Sequence, residues 1–525
     1  MTDVVVVGSG PGGVNAAARL VEAGRTVVML DYGNQDRHYA PLVPHKPFTD
    51  IRRTEPEQHR WFLGDRFEGI PFGGVRVGAQ LTPPRMHILA DAAERIPVDA
   101  DGFAVSMSLA RGGLGAGWSA GVFPFSDEEL RGMSLSLADL QPHYDAVAER
   151  IGVAGNQDDL APFFPASPSM MPALDIDTNG EVVYARYLRR RDALNADGFF
   201  LGRPRVAACT RQHRGRGPHA YLDLCYWADM DRSVYRPQWT LDELLAAPNF
   251  TYVSGRFVER FEETADGVRV RATPAGGGEE THEGRALVLA AGTLGTAWLV
   301  LRSLGRYDEP VPMLCNAYAY VPTLNFGMLG QTPIDRRYSL GQLTAIVRRP
   351  GRILQAQVFS YRSLLMFKLM KELPLGYRDS LRLLRLLVPH FAILGIHHED
   401  RPAPGKTCTL RRGDRLEIRY RPSDEEERMH RDDERTVLRF FRRLGCLPLR
   451  TVRPGHGASL HYAGTFPITA EGGPLTCDRD SRLRATRAVY LADGSIFPWI
   501  PPKGLTFNLM ANADRVGAIL GGRLA

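Results

Sequence analysis

The chemistry in this sequence starts with glycines. Gly8, Gly10 and Gly13 stand in "DVVVVGSGPGGVNAAARLVEAG", residues 3–24, with Pro11 and Gly12 inside the same loop. That spacing suits a phosphate. Gly8 allows a tight turn, Gly10 lets the backbone approach a pyrophosphate, and Gly13 lets a helix pack closely on a strand. A helix beginning here adds unpaired N–H groups and the positive end of its dipole. Asp31, 18 positions after the last glycine, would accept hydrogen bonds from ribose hydroxyls. Triplet and acid together predict a dinucleotide site.

A second loop, "ARGGLGAGWSAGVFPF" at residues 110–125, carries Gly112, Gly113, Gly115, Gly117 and Gly121 around Trp118 and Ser119. Glycines of this kind expose backbone N–H groups, and a flat aromatic cofactor lying on the loop accounts for them. Two C-terminal stretches also stand out: "SLHYAGTFPI", with His461 four residues before Thr465, and "AVYLADGSIFPWIPPKGLTFNLMANADRVGAIL", which contains Asp493-Gly494-Ser495.

The elements that position these residues follow from local pattern. Val4–Val7 reads as a buried parallel strand, Val14–Ala23 as a helix ending at Gly24, and Thr26–Leu30 as a second strand. Residues 137–155 predict a helix around Pro142 that stops at Gly152. Residues 250–273 alternate as strands, with Asp266-Gly267 as a hairpin turn. Residues 286–305 predict a strand, a turn at Gly292 and a helix. Ala488–Ala492 predicts a buried strand, and a last helix starts at about Leu505. The chain thus returns late to the sheet it began. Between Gly33 and about Ala100 it is irregular, without the strand–helix alternation of a continuing nicotinamide domain.

The bulk numbers bound the rest. At 525 residues the chain exceeds one ordinary core. Net charge is +6 and Arg far outnumbers Lys, a mild excess for this size that calls for no nucleic-acid partner. The six cysteines form no metal spacing, so neither a disulfide framework nor a metal site is expected. No signal peptide or membrane-length apolar run is visible, which predicts a cytoplasmic protein. Residues 361–391 read as two basic amphipathic helices broken at Pro374-Leu375-Gly376. A lid over the substrate entrance is expected there, with an ordinary packed pair or a peripheral membrane contact as alternatives. The lid reading expects Leu365→Asp and Leu384→Asp to leave stability nearly unchanged.

Five motifs in order resemble the glucose–methanol–choline (GMC) family of FAD-dependent oxidoreductases. They are the first glycine loop, the middle glycine loop, A-A-G-T at 290–293, H-x-x-G-T from His461, and D-G-S-x-x-P from Asp493. The match covers residues 1–32, 105–155, 245–305 and 455–525. It implies an α/β fold: a Rossmann-type FAD-binding domain with a parallel sheet, assembled from 1–155, 245–309 and 455–525. An α+β substrate domain with an antiparallel sheet would come from 156–244 and 310–454.

The resemblance also implies roles. His461 would take the proton of a substrate hydroxyl as hydride leaves for flavin N5. Asp493, Gly494 and Thr506 at the last helix would contact the pyrophosphate and the flavin edge, as would Ala291 and Gly292. Val258 would border the adenine. A second His or Asn follows the D-G-S-x-x-P element in relatives. That position is Gly504 here, and Lys503 or Asn508 is the expected substitute. Gly117 stands where some relatives carry a flavin-linking histidine, so the FAD is expected to be non-covalent. The implied partner is a small-molecule alcohol, with O2 or another compound as electron acceptor. Gly504 keeps open a lyase or isomerase of the same fold.

Overall fold

The structure is a computed structural model and describes residues 1–69, 82–165, 167–331, 335–337, 340–360 and 373–525. The valine run forms the strand Thr2–Val7. Its side chains alternate between two faces, and both are buried. Val5 and Val7 enter one apolar core, and Val4 and Val6 enter another that the helices Pro11–Glu22 and Thr506–Arg523 cover. A strand buried on both sides has no polar face to show, which is why its sequence is continuous valine.

Seven strands make the main sheet. The order is Phe250–Val253, Val27–Leu30, Thr2–Val7, Glu280–Leu289, Val268–Pro274, Arg256–Glu263, with Val489–Leu491 beside the far half of Glu280–Leu289. Five of them run parallel, with registers Val4↔Val27, Val4↔Ala286, Val27↔Phe250 and Val489↔Leu287. The antiparallel pair Arg256–Glu263 and Val268–Pro274 turns at Asp266-Gly267, as the sequence predicts. Parallelism brings the carboxyl ends of four strands to one edge, and there the chain continues into Gly8, Asp31, Ala290–Gly292 and Asp493. Ligands of open α/β sheets bind at that edge.

A second, antiparallel sheet has six strands. Their order is Cys446–Pro448, Tyr318–Asn325, Phe391–His397, Arg352–Ser360, Gly341–Arg349, Phe199–Gly202. The pair Tyr318↔His397 closes one end of this sheet. A smaller sheet joins Val98–Asp101 to Arg415–Tyr420, Lys406–Arg411 and Pro310–Pro312, tying the first segment of the chain to the 310–454 segment. The fold is thus a Rossmann-type parallel sheet built from separated segments, with an antiparallel sheet beside it.

Part of the basic amphipathic segment, 361–372, lies outside the described residues. The remainder forms the helix Tyr377–Leu387. Leu384 is only 2 % exposed, while Leu375, Tyr377 and Leu386 face solvent. Leu384→Asp would therefore bury a charge, which corrects the expectation that this change spares stability. Among the described residues no helix is long and apolar enough to cross a membrane.

Candidate active site

One cavity of about 1070 Å³ runs from the carboxyl edge of the parallel sheet to the end of the antiparallel sheet. Gly8, Gly10, Pro11, Gly12, Asp31, Gly113, Gly117, Trp118, Ser119, Val258, Ala291, Gly292, Asp493, Gly494 and Thr506 all line it. Gly13 does not, and its reason is packing: a Cβ there would lie 1.9 Å from Gly8 O.

The glycines divide by what their missing side chains make room for. At Gly8, whose φ is +96°, a Cβ would meet Ala290 O at 2.5 Å, and at Gly12 it would meet Ala492 O at 1.8 Å. The protein's own backbone requires these two. At Gly10 the nearest atoms are 4.0 Å away, and at Gly292 nothing lies within 4 Å. That open space fits a bound group rather than protein.

Three helices point their N-termini at this cavity: Pro11–Glu22, Thr293–Ser303 and Thr506–Arg523. None has a side-chain cap or an acidic residue in its first turn. Uncapped N–H groups and positive dipole ends converging on one void favour an anion such as a pyrophosphate.

Asp31 is buried at the end of its strand. Both Ser9 Oγ and the Tyr252 hydroxyl donate to the same oxygen, Oδ2, the latter at 2.9 Å. Gly112 N–H in turn donates to Ser9 Oγ at 2.9 Å, which links the two glycine loops. The Ser9 backbone N–H also lies against this carboxylate, and Asp31 lines the cavity. Burial raises the Asp31 carboxyl from 3.8 to about 6, against the pull of those hydrogen bonds. Ribose hydroxyls would supply further donors to this carboxylate. Asp493 is also buried. It accepts from Thr296 Oγ1 at 2.5 Å and from Ser495 N and Oγ at 2.9 and 2.6 Å, and so fixes the turn that delivers Gly494.

His461 lines the other end of the cavity. The residue before it, Leu460, has φ +62°, a conformation that costs about 1 kcal/mol and aims the histidine inward. His461 Nδ1 lies 3.2 Å from Asn316 Oδ1. The Asn316 amide N–H groups already donate to His398 O at 2.5 Å and Pro501 O at 3.1 Å. Asn316 therefore presents oxygen to the ring, and the network assigns the proton to Nδ1. Nε2 is then the free lone pair, lying close to where a Cβ on Gly504 would stand (3.9 Å). Desolvation lowers the His461 pKa from 6.5 to about 4, so the ring is a neutral base at ordinary pH. His397 stacks on it at 5.1 Å, and Tyr318 lies tilted against His397 at 4.7 Å.

Lys503 and Asn508 are placed elsewhere. Lys503 is fully buried, with Nζ donating to Glu129 Oε2 at 2.7 Å and to Pro124 O and Phe163 O. Asn508 accepts from Phe125 N and the Tyr144 hydroxyl and donates to Phe123 O and Gly504 O. Every polar atom of both is used inside the protein, and neither lines the cavity. This corrects the expectation that one of them stands in for the residue missing at Gly504. Sequence reasoning missed Ser9, Tyr252, Asn316 and His397. Of these only Ser9 lies inside a recognisable motif.

Residues 2–94 match the family model "Pyridine nucleotide-disulphide oxidoreductase". Over 99 % of its length the chain is 25 % identical to paromamine 6'-oxidase of Streptomyces fradiae, covering 92 % of that protein. Among solved structures, pyridoxine 4-oxidase from "Mesorbium loti" matches with a TM-score of 0.59 and 14 % identity, covering 98 % of each chain. A formate oxidase from Aspergillus oryzae RIB40, solved in work on FAD modification, matches with a TM-score of 0.60 and 12 % identity over 99 % of this chain and 98 % of that one. The chain shares with these oxidases a fold in which a Rossmann-type cradle opens onto an antiparallel sheet.

Proposed function

We propose that the protein is an FAD-dependent oxidoreductase of the GMC type that oxidises a CH–OH group of a small molecule. One observation carries this reading. A neutral histidine with a free Nε2 lone pair lines the same cavity as a dinucleotide cradle with a buried carboxylate, Asp31, on its wall. The names of the relatives, all oxidases, support it.

The cradle fits FAD. Gly10 and Gly292 leave room for it, the three helix starts favour its phosphates, and Asp31 would accept from its ribose. No histidine stands at Gly117 to link it, so the attachment we propose is non-covalent. When bound, FAD supplies the acceptor for a hydride. The chain's own part is the proton. His461 Nε2 accepts it from the substrate hydroxyl, and the charge that develops on the ring is stabilised through Nδ1–H by Asn316 Oδ1. Asn316 holds the tautomer because its own amide is tied to two carbonyls. His397 covers one face of the ring.

Gly504 favours a second reading, non-redox chemistry on the same fold, because no polar side chain accompanies Nε2 at that position. Anaerobic addition of a panel of alcohols separates the two. Loss of flavin absorbance supports oxidation; product without bleaching supports a lyase or isomerase.

A further inference from the structure

Of the described arginines that line the same cavity, only Arg85 and Arg236 are buried, and the proposed chemistry uses neither. Arg85 and Arg236 are each 7 % exposed. Both lean on the middle glycine loop: Arg85 Nη2 donates to Ala116 O at 3.2 Å, and Arg236 Nη1 donates to Trp118 O and, at 3.0 Å, to Tyr235 O. The rest of their donors remain for whatever enters the cavity. Among the described residues neither is ion-paired with a carboxylate, whereas the buried Arg150 is paired with Asp514 at 2.9 Å. The undescribed stretch 70–81 contains Arg76 and no Asp or Glu.

Other charged or titratable groups on this wall are few. Cys225 and Tyr226 face Arg85, Asp223 lines the cavity beside Cys225, and Asp229 and Arg216 act on Arg236 from behind the wall without a direct ion pair to it. Burial lowers the pKa of both arginines, and for Arg236 the neighbouring Arg85 charge adds to the effect, bringing it to about 9. Two like charges held together out of water are costly unless an anion joins them. Guanidinium forks match phosphate and carboxylate geometry.

The wall leads back to the reacting end. The Arg85 guanidinium sits 6.0 Å from the Tyr226 ring, Tyr226 and Tyr318 line the same cavity, and Tyr318 lies tilted against His397, which stacks on His461. A molecule lying along these rings would present one end to His461 and the other to the arginines.

We infer that Arg85 and Arg236 form a seat for an anionic group, a phosphate or carboxylate, carried by the substrate at the end remote from the hydroxyl near His461. The inference rests on the proposed oxidation. The same chemistry could instead serve the pyrophosphate of the nucleotide, and the test separates the two sources.

The experiment titrates inorganic phosphate into the FAD-loaded protein by calorimetry at constant ionic strength. Saturable binding is expected in the parent. Arg85→Gln and Arg236→Gln should each weaken it at least about tenfold, the effect of losing one charge-assisted hydrogen bond. Arg236→Lys, which keeps the charge, should retain part of it, and FAD content should match the parent throughout. Absence of saturable phosphate binding in the parent overturns the inference, as does equal binding in the Gln variants. Loss of FAD in those variants, with phosphate bound only by the FAD-free protein, assigns the pair to the nucleotide and overturns it too. Failure of the oxidation reading looks different: alcohols do not bleach the flavin, while the phosphate titration still reports on the seat.

Discussion

Asp31→Asn should stabilise the FAD-free protein and weaken its hold on FAD. In the folded protein without nucleotide, burial raises the Asp31 carboxyl from 3.8 to about 6. A displacement of that size corresponds to about 3 kcal/mol. Because the folded pKa lies above the unfolded one, the folded protein keeps a proton that the unfolded chain releases between about pH 4 and pH 6. Stability therefore falls as pH rises through that window, and the deficit is complete above it. Asparagine has no charge to desolvate. Its carbonyl oxygen can take over Oδ2 and accept from both the Ser9 and Tyr252 hydroxyls, so these two contacts survive. Urea unfolding of FAD-free protein should show the variant more stable by up to about 3 kcal/mol near pH 8 and equal to the parent below about pH 4. In the same variant an amide N–H replaces one acceptor oxygen of the carboxylate. The loss of a hydrogen bond to a charged group costs about 1.5–3 kcal/mol, or roughly 10- to 150-fold in FAD affinity by calorimetry. A variant less stable than the parent at pH about 8, or one that binds FAD equally well, would refute the placement of this carboxylate.

Three further outcomes follow from the same geometry. Lys503→Met should lower stability by about 3–5 kcal/mol in denaturant unfolding, because Glu129 is left buried without its cation; adding Glu129→Gln should restore part of the loss, whereas a catalytic lysine would lose activity at unchanged stability. The pH profile of kcat/KM should stay flat through neutrality and fall only as pH drops towards about 4, since the His461 pKa is lowered and the neutral base is lost below it. An inflection near 6.5 would show that the ring is not desolvated in the way described. Acid precipitation should release FAD into the supernatant, and flavin remaining in the pellet would show a covalent link that Gly117 does not provide.

The cradle was legible because its signal is local. A strand, a glycine turn, a helix and an acid lie within 31 residues, although of the glycines only Gly13 answers to a contact inside that βαβ unit, while Gly8 and Gly12 make room for Ala290 O and Ala492 O. The return of the chain at Glu280–Leu289 and Val489–Leu491 was readable for the same reason, as apolar runs ending in Gly292 and Asp493. What orients the catalytic end was not. Asn316 reaches His461 across 145 positions, and His397 arrives from a different sheet. No pattern of spacing announces a contact made by folding distant segments together. Lys503 and Asn508 misled because they lie next to Gly504 in sequence. The loop and the start of the last helix turn them inward, to Glu129 and to the backbone of Phe123 and Phe125, and only the glycine itself faces the cavity.

The central claim is that His461, neutral and unpartnered at Nε2, takes the substrate proton while the flavin beside it is reduced. Anaerobic stopped-flow of FAD-loaded parent and His461→Gln with an alcohol that bleaches the parent tests it most directly. Glutamine leaves the cavity walls and the cradle in place but cannot accept the proton. The account predicts equal FAD content and a rate of flavin reduction lowered by about 10²–10⁴-fold in the variant. Reduction at the parent rate, or product formed by the parent with no change in flavin absorbance, would contradict it.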